Sequence, residues 1–165
     1  MALTKAELER AILDELRQQT ILTLATIGEA GPHAVSLMYA HEAFDIYWLS
    51  DPKTRHSDHL ASGRSAAVTI AAQYDDFLKI RGLQMTGDGC RLTEVDEESA
   101  GFDLLVARYP FLKKFSVGKL ARNLGAAAVY RFRPERLTLI DNARGFGFKQ
   151  TLKLVDRAGE TVDAD

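Results

Sequence analysis

The sequence predicts a mainly β (α+β) fold, an antiparallel barrel with flanking helices. Short runs of branched and apolar residues follow one another from residue 21 to residue 92, and the turns between the first of them are short enough to require antiparallel hairpins. Only two longer segments have the period of a helix. No linker, repeat or low-complexity stretch divides the chain, so we predict one domain over residues 1–155 and a flexible tail over residues 156–165.

Apolar residues at helical spacing predict helices over residues 4–18 and 94–109. The first helix begins at Thr4, which opens a capping box with the glutamate three positions later, and Thr93 begins a similar pattern before the second. Pro110 is expected to end the second helix, because a proline inside a helix removes a hydrogen bond and clashes with the preceding turn. A third, short helix is predicted in the segment KTRHSDHLAS.

Strands account for most of the remaining chain. They are predicted at residues 21–28, 33–40, 44–50, 64–74, 77–92 and 126–141. Glycines at positions 82, 87 and 89 indicate bulges or a strong bend in the fifth of these strands, and Pro134 indicates a break in the last. Mostly antiparallel strands with few helices favour a barrel whose openings are covered by the helices.

Composition excludes several classes of function. The chain has 165 residues, of which 46% are hydrophobic and 27% charged, and its net charge of −2 gives no sign of general nucleic-acid affinity. No run reaches the about 18 apolar residues of a membrane span, and the charged N-terminus is not expected to be a signal peptide. Cys90 is the only cysteine, so no internal disulfide is possible and a cytoplasmic location is the simplest expectation.

The second predicted strand, HAVSLMYA, has one face of mostly small side chains. Alternation places Val35, Leu37 and Tyr39 on one face, and Ala34, Ser36, Met38 and Ala40 on the other. Small side chains would allow a flat ligand to approach the strand backbone. Packing against another element, such as the N-terminal helix, explains the same pattern equally well.

The segment KTRH places bases at the start of the short helix. Arg55 offers a planar fork of donors that suits phosphate, and Lys53 adds a point charge. The amides of a helix N-terminus also favour an anion. If Asp51 caps the helix, its carboxylate competes for those amides, whereas a cap at Thr54 leaves the amides and its own hydroxyl available. We favour Thr54, which makes the segment a candidate phosphate site; an ordinary solvated helix start is the alternative.

The two histidines of this segment are weaker candidates. His56 and His59 are three residues apart and can share one helix face. Without a third ligand, such a pair indicates a polar surface rather than a zinc site, so no metal site is predicted. No Ser–His–Asp order or carboxylate pair stands out, and the sequence names no catalytic residue.

The order of these elements resembles a known family. The strand TLAT, the hairpin to HAVSLMYA, an aromatic strand ending in LS, the KTRHSDHL helix, and then SGRSAAVTI and IRGLQMTGDGCRL are similar to the FMN-binding split-barrel family of pyridoxamine 5′-phosphate oxidase-like flavoproteins. The resemblance covers roughly residues 20–141, and the ending VYRFRPERLTLIDNARGFGFK resembles a small bacterial subgroup. It implies an antiparallel split β-barrel with flanking helices, FMN as cofactor, and a homodimer with flavins in the subunit interface.

The resemblance also implies which residues contact the flavin. The hydroxyl-Arg-Lys phosphate motif of the family falls on Thr54, Arg55 and His56, preceded here by Lys53. The flavin-facing strand positions and a glutamine near the ring fall on Val35, Ser36, Leu37, Met38, Leu49, Ser50 and Gln84. Residues around Phe146 of a second subunit are expected to close the site.

Three departures from the oxidases limit what the resemblance implies. HAVSLMYA carries none of the basic residues that hold phosphate on this strand in the oxidases, and His56 stands where they have lysine. RGFGFKQTLKL lacks a counterpart of their C-terminal Arg-and-His substrate motif. We therefore expect no true pyridoxamine-phosphate oxidase activity and a weaker FMN affinity.

Two classes of function remain open at this point. One is a flavin-dependent oxidoreductase acting on a small molecule, for which the flavin itself would supply the redox chemistry. The other is a binding module that holds flavin or haem without turnover. The deazaflavin F420 in place of FMN also fits the fold, and neither nucleic acid nor a membrane is expected as a partner.

Overall fold

The structure, a computed structural model, describes residues 2–61, 63–116 and 127–154. Within these ranges eight antiparallel strands form one sheet, which curls into a half-barrel flanked by three α-helices. The predicted fold class is therefore confirmed. The predicted flexible tail lies outside the described residues.

The elements follow the predicted segments closely. The helices are α1 (Lys5–Gln18), α2 (Arg55–His59) and α3 (Val95–Arg108). The strands are β1 (Ile21–Gly28), β2 (Gly31–Met38), β3 (Ala40–Glu42), β4 (Asp45–Ser50), β5 (Arg64–Ala71), β6 (Arg81–Arg91), β7 (Ala128–Asp141) and β8 (Lys149–Lys153). Short 3₁₀ segments lie at Phe77–Lys79, Pro110–Ser116 and Asn142–Arg144. The Thr4–Glu7 capping box at the start of α1 is present as predicted.

The strand order is β2-β1-β5-β6-β7-β4-β3, with β8 pairing beside β7. Every pairing is antiparallel. The curl brings β2 at one end of this order close to β4 at the other. The first turn of the sheet and the C-terminal end of β4 therefore lie near the same opening of the barrel, and α2 follows directly from β4.

Apolar side chains fill the inside of the half-barrel. The apolar stripe of α1, formed by Leu8, Ile12 and Leu16, is fully buried there, and Trp48 stacks on Tyr130 with ring centroids 5.8 Å apart. Each such side chain contributes about 1.5–3 kcal/mol when it is removed from water. A second, smaller cluster lies between α3 and the outer face of β4 and β7.

Several predictions about the strands were wrong. The strand predicted over 64–74 ends at Ala71, and the strand predicted over 77–92 begins only at Arg81, after a 3₁₀ segment. The strand predicted over residues 33–40 ends at Met38, because the chain turns at Tyr39, whose ring is buried and whose hydroxyl donates to the Leu16 carbonyl. The strand predicted over 126–141 is not broken at Pro134. Instead β6 shifts register between Thr86 and Gly87, which confirms the predicted bulge. A Cβ at Gly87 would collide with the backbone of Arg133 and Pro134, so the absence of a side chain allows β6 and β7 to approach closely at the bulge.

The cap of α3 was predicted at the wrong residue, and one strand was not predicted. The cap of α3 is Glu94 rather than Thr93, and its side chain makes no capping hydrogen bond. The strand β8 was not predicted, because KQTLK is short and polar and becomes a strand only by pairing with β7.

A buried charge network joins α1 to the sheet. The Glu15 side chain is 2% exposed, and its Oε1 lies 2.7 Å from Nε of Arg81, off line for a hydrogen bond. The second carboxylate oxygen, Oε2, has no hydrogen-bond partner. Burial raises the pKa of Glu15, and the neighbouring Arg81 offsets this only in part.

The raised pKa of Glu15 predicts a pH-dependent stability. A carboxyl that binds its proton more tightly in the folded state opposes folding when ionised, so its contribution improves as pH falls through the folded pKa towards the unfolded value near 4.3. Relative to Glu15→Gln, the wild type should gain up to about 1.4 kcal/mol of unfolding free energy per pH unit in that window. Urea denaturation of both proteins from neutral pH to about pH 4.5 tests this. A stability difference that does not change with pH would contradict it.

Candidate functional site

The candidate site lies where β4 ends and α2 begins, beside the hairpin that joins β1 and β2. Three hydroxyls and one imidazole meet there. Ser50 Oγ lies 2.6 Å from Nε2 of His56 and 3.2 Å from Oγ1 of Thr54. Thr54 Oγ1 lies 3.2 Å from the same imidazole nitrogen and 2.8 Å from Oγ of Ser57. We call Ser50, Thr54, His56 and Ser57 the hydroxyl–imidazole group.

The start of α2 has the register that the sequence favoured. Thr54 is the N-cap, with extended backbone angles, and α2 begins at Arg55. The Asp51 carboxylate accepts a hydrogen bond from the Lys53 amide at 2.9 Å, one residue before the cap. Thr54 does not cap the helix with its side chain; its Oγ1 lies 2.8 Å from the Asp51 carbonyl oxygen.

The two long cations of the segment KTRH differ in their surroundings. Lys53 is exposed beside the hydroxyl–imidazole group. Arg55 is also exposed, but its Nη2 donates to the carbonyl oxygens of Ala30 at 2.8 Å and Gly31 at 3.3 Å. The guanidinium therefore joins α2 to the turn of the β1–β2 hairpin.

Three imidazoles lie together between α2 and β2, those of His33, His56 and His59, and we call them the histidine cluster. The ring of His33, on β2, stacks on that of His56 with centroids 6.1 Å apart and planes 9° apart. It meets the ring of His59 edge-on at 6.2 Å. Nδ1 of His59 lies 2.9 Å from Oγ1 of Thr26, and this ring covers Gly28, where a Cβ would collide with it.

The expectation that His56 and His59 form a polar surface was wrong. His56 is 5% exposed and His59 is 7% exposed. Burial lowers the pKa of His56, and the neighbouring His33 and His59 lower it further, because the positive form is poorly solvated and would be repelled. Within the described ranges, no group of three or more His, Cys, Asp or Glu side chains is arranged to hold a metal ion.

The residues predicted on β2 divide between the two faces of the sheet. Val35 and Leu37 pack against the core, whereas Ser36 and Met38 are exposed. The small face is thus open to solvent in the described chain, and α1 is placed elsewhere, in the barrel core. Leu49 packs into the cluster under α3, so its side chain points away from the hydroxyl–imidazole group.

Gln84 lies on the exposed face of the sheet, far from these residues. The strand register places it in a polar row that crosses six strands in the order Ser36, Thr23, Thr69, Gln84, Thr138 and Thr151. Three strand spacings separate β6 from β2, which is about 14 Å along the sheet. Within one chain the structure does not bring Gln84 together with the β2 positions.

Sequence reasoning missed Thr26 and Ser57, and it did not place His33 against His56 and His59. Ser57 could have been found, because it follows Thr54 by three residues on a short helix. His33 and Thr26 are more than twenty residues away from α2 in sequence and lie on a hairpin that could pack against it in several ways. No local signal reports such a contact.

Comparison with known proteins identifies the family. Residues 8–141 match the pyridoxamine 5′-phosphate oxidase family. This chain belongs to that family. A relative, the UPF0306 protein YhbP of Salmonella paratyphi A, is 30% identical over 136 residues, which is 81% of this chain and 85% of that protein. The family predicted from the sequence is confirmed.

Solved structures of other proteins show the same fold. A haem-binding protein from Mycobacterium smegmatis superimposes with a TM-score of 0.70 at 20% identity, over 93% of this chain but only 59% of that one. A putative pyridoxamine 5′-phosphate oxidase from Listeria innocua gives 0.63 at 17% identity, over 81% and 98% of the two chains. At such identities the similarity shows the fold alone. Among the helices that the structure describes, none has the length and apolar character needed to cross a membrane.

Proposed function

We propose that this chain is an FMN-binding flavoprotein that acts as an oxidoreductase on a small molecule, and that it has no true pyridoxamine-phosphate oxidase activity. The observation that carries the proposal is the hydroxyl–imidazole group with Arg55 and Lys53 beside it, in a member of the pyridoxamine 5′-phosphate oxidase family. Hydroxyls and cations are the donors that a phosphate ester requires.

The donor set of the site fits a phosphate. Ser50, Thr54 and Ser57 bring three hydroxyls into one group, in which Ser50 and Ser57 are buried. The exposed cations Lys53 and Arg55 are the sequence neighbours of Thr54 on either side. Arg55 would be the main anchor, because its planar fork can donate two parallel hydrogen bonds. We assign phosphate binding to Lys53, Thr54, Arg55 and His56, with Ser50 as a hydroxyl contributed by β4.

The remaining sequence-predicted residues would face the flavin ring. Ser36 and Met38 present side chains on the exposed face of β2, whereas Val35 and Leu37 can contribute only their backbone there. FMN, when bound, supplies the redox chemistry itself. The chain's own residues would hold the phosphate, orient the ring along an edge strand and limit the access of water.

We further propose that the protein is a homodimer that pairs through the exposed face of the sheet. Next to the polar row lies a row of small residues, Ala34, Ala25 and Ala67, and a shallow depression of about 410 Å³ opens between β1, β5, β6 and β7. Ile21, Ile27 and Met38 expose 46%, 63% and 42% of their surface around it. A second copy would cover this face and could bring Gln84 and the exposed Phe146 region to the site.

Two other cofactors remain alternatives. The deazaflavin F420 also carries phosphate on a flavin-like ring, so the same donors would suit it. Haem binding without turnover is supported by the fold similarity to a haem-binding protein. The exposed side chains of β2, Ser36 and Met38, offer no preference between FMN and F420, and His33 or His56 would be the axial ligand of a haem.

Reconstitution with each cofactor tests the proposed function. Purified protein should bind FMN more tightly than riboflavin, F420 or haemin, measured by fluorescence quenching or absorbance. Bound FMN should then be reduced by NADH or NADPH or by a small-molecule reductant. Tight haemin binding without flavin binding would replace this proposal by the haem-binding alternative, and FMN binding without any reduction would support a non-catalytic module.

A further inference from the structure

The histidine cluster borders the proposed phosphate site through one shared residue. Nε2 of His56 points at the hydroxyls of Ser50 and Thr54, while the face of its ring stacks on His33. His33 in turn meets His59. A charge placed among the three hydroxyls would therefore act on a set of three imidazoles rather than on one.

Other charged groups surround the cluster on each element packed against it. On α2 these are Arg55 and the exposed Asp58, and before it Lys53 and Asp51. The β1–β2 turn contributes Glu29, and β5 begins with Arg64; Glu29, Arg55, Asp58 and Arg64 line a cleft of about 550 Å³ along the outer side of His59. One ring nitrogen of each buried histidine contacts a hydroxyl: Nε2 of His56 lies against Ser50 and Thr54, and Nδ1 of His59 against Thr26.

We propose that the histidine cluster makes anion binding at this site proton-coupled, so that one proton enters the cluster when a phosphate group binds and leaves when it dissociates. The proposal rests on the proposed phosphate site and adds its regulation by pH. Its physical basis is the arrangement of the three rings. A positive charge on the buried His56 is poorly hydrated and is repelled by a charge on His33 or His59, and a bound dianion beside His56 would offset that penalty.

Proton coupling has a quantitative consequence for affinity. When binding takes up one proton, the association constant falls by up to about tenfold for each pH unit above the protonation midpoint of the free cluster. Ligands without a phosphate, such as riboflavin, gain nothing from the proton. The protein would therefore hold phosphorylated ligands more tightly in mildly acidic than in mildly alkaline conditions.

Histidine NMR titration with sulfate as the probe tests the coupling directly. Sulfate stays a dianion across the range, so any pH dependence comes from the protein. We expect sulfate to raise the midpoint of at least one of His33, His56 and His59 by about 1 pH unit relative to chloride at equal ionic strength. His41 on β3, which hydrogen-bonds to the Ala43 carbonyl, is the internal control and should not move. Unchanged midpoints in all three rings would overturn the proposal.

Variants separate this proposal from the proposed function. His56→Lys carries a permanent charge and should make FMN affinity nearly independent of pH between about pH 6.5 and 8. His33→Gln should weaken the pH dependence of FMN affinity without adding a charge. His41→Gln is the control and should keep the wild-type pH dependence. If sulfate raises the midpoint of a cluster histidine but no flavin binds, the result supports proton coupling and contradicts the flavin function. If FMN binds equally tightly at about pH 6.5 and pH 8 and calorimetry finds no proton uptake, the result supports the flavin function and contradicts this proposal.

Discussion

Arg55→Ala is expected to weaken FMN binding on the order of ten- to a hundredfold while leaving riboflavin binding almost unchanged. A hydrogen bond to an ionised group is worth about 1.5–3 kcal/mol, and about 1.4 kcal/mol corresponds to a factor of ten in affinity. Riboflavin has the same ring and no phosphate, so it isolates the phosphate contribution. Flavin-fluorescence titration of wild type and variant with both ligands is the measurement.

The contact of Arg55 with the hairpin requires a control for structure. Because Nη2 joins α2 to the Ala30 and Gly31 carbonyls, the alanine variant could also loosen the hairpin. Arg55→Lys keeps the charge and loses the fork, so it should restore FMN binding only in part. Thermal unfolding of each variant reports the loss of the hairpin contact separately. Equal weakening of FMN and riboflavin would show that Arg55 has a structural role, and no change in either would leave KTRH as a solvated helix start.

Local patterns predicted most of this fold because most of its elements are specified locally. The α1 capping box and the short turn between β1 and β2 each depend on residues that are close in sequence. The errors came from elements that depend on distant partners. β8 exists because β7 offers it an edge, and the chain turns at Tyr39 because its hydroxyl reaches α1.

The candidate site was likewise predictable where its residues are contiguous in sequence, and not where they are distant. The segment from Ser50 to His56 is contiguous, so its hydroxyls and bases could be assigned together from the sequence. The burial of His56 and His59 could not, because it depends on a hairpin that folds back over α2 and places His33 against both rings. At the position where the resemblance implies a lysine, this chain thus has a buried imidazole that stacks on His33.

The second large expected effect concerns dimerisation through the exposed face of the sheet. Ala25→Arg, in the middle of the row of small residues, is expected to convert a dimer into a monomer at micromolar concentration. In a two-fold interface each new arginine would lie either near the same arginine of the second subunit or against apolar surface. A charge buried there without a partner costs several kcal/mol. A loss of about 2.7 kcal/mol from the free energy of dimer association raises the dimer dissociation constant about a hundredfold.

The same variant decides whether the flavin site needs a second copy. If Gln84 or the Phe146 region of a partner completes the site, Ala25→Arg should lose FMN affinity together with the dimer, because the Ala25 side chain lies on the exposed face of β1, opposite to the neighbouring Thr26 that contacts His59 of α2. Ala6→Arg, an equal change on the exposed face of α1, should alter neither property. Light scattering and FMN titration of the same samples provide both readouts. A wild-type monomer that binds FMN would refute the dimer proposal, and an Ala25→Arg dimer would show that subunits pair through another face.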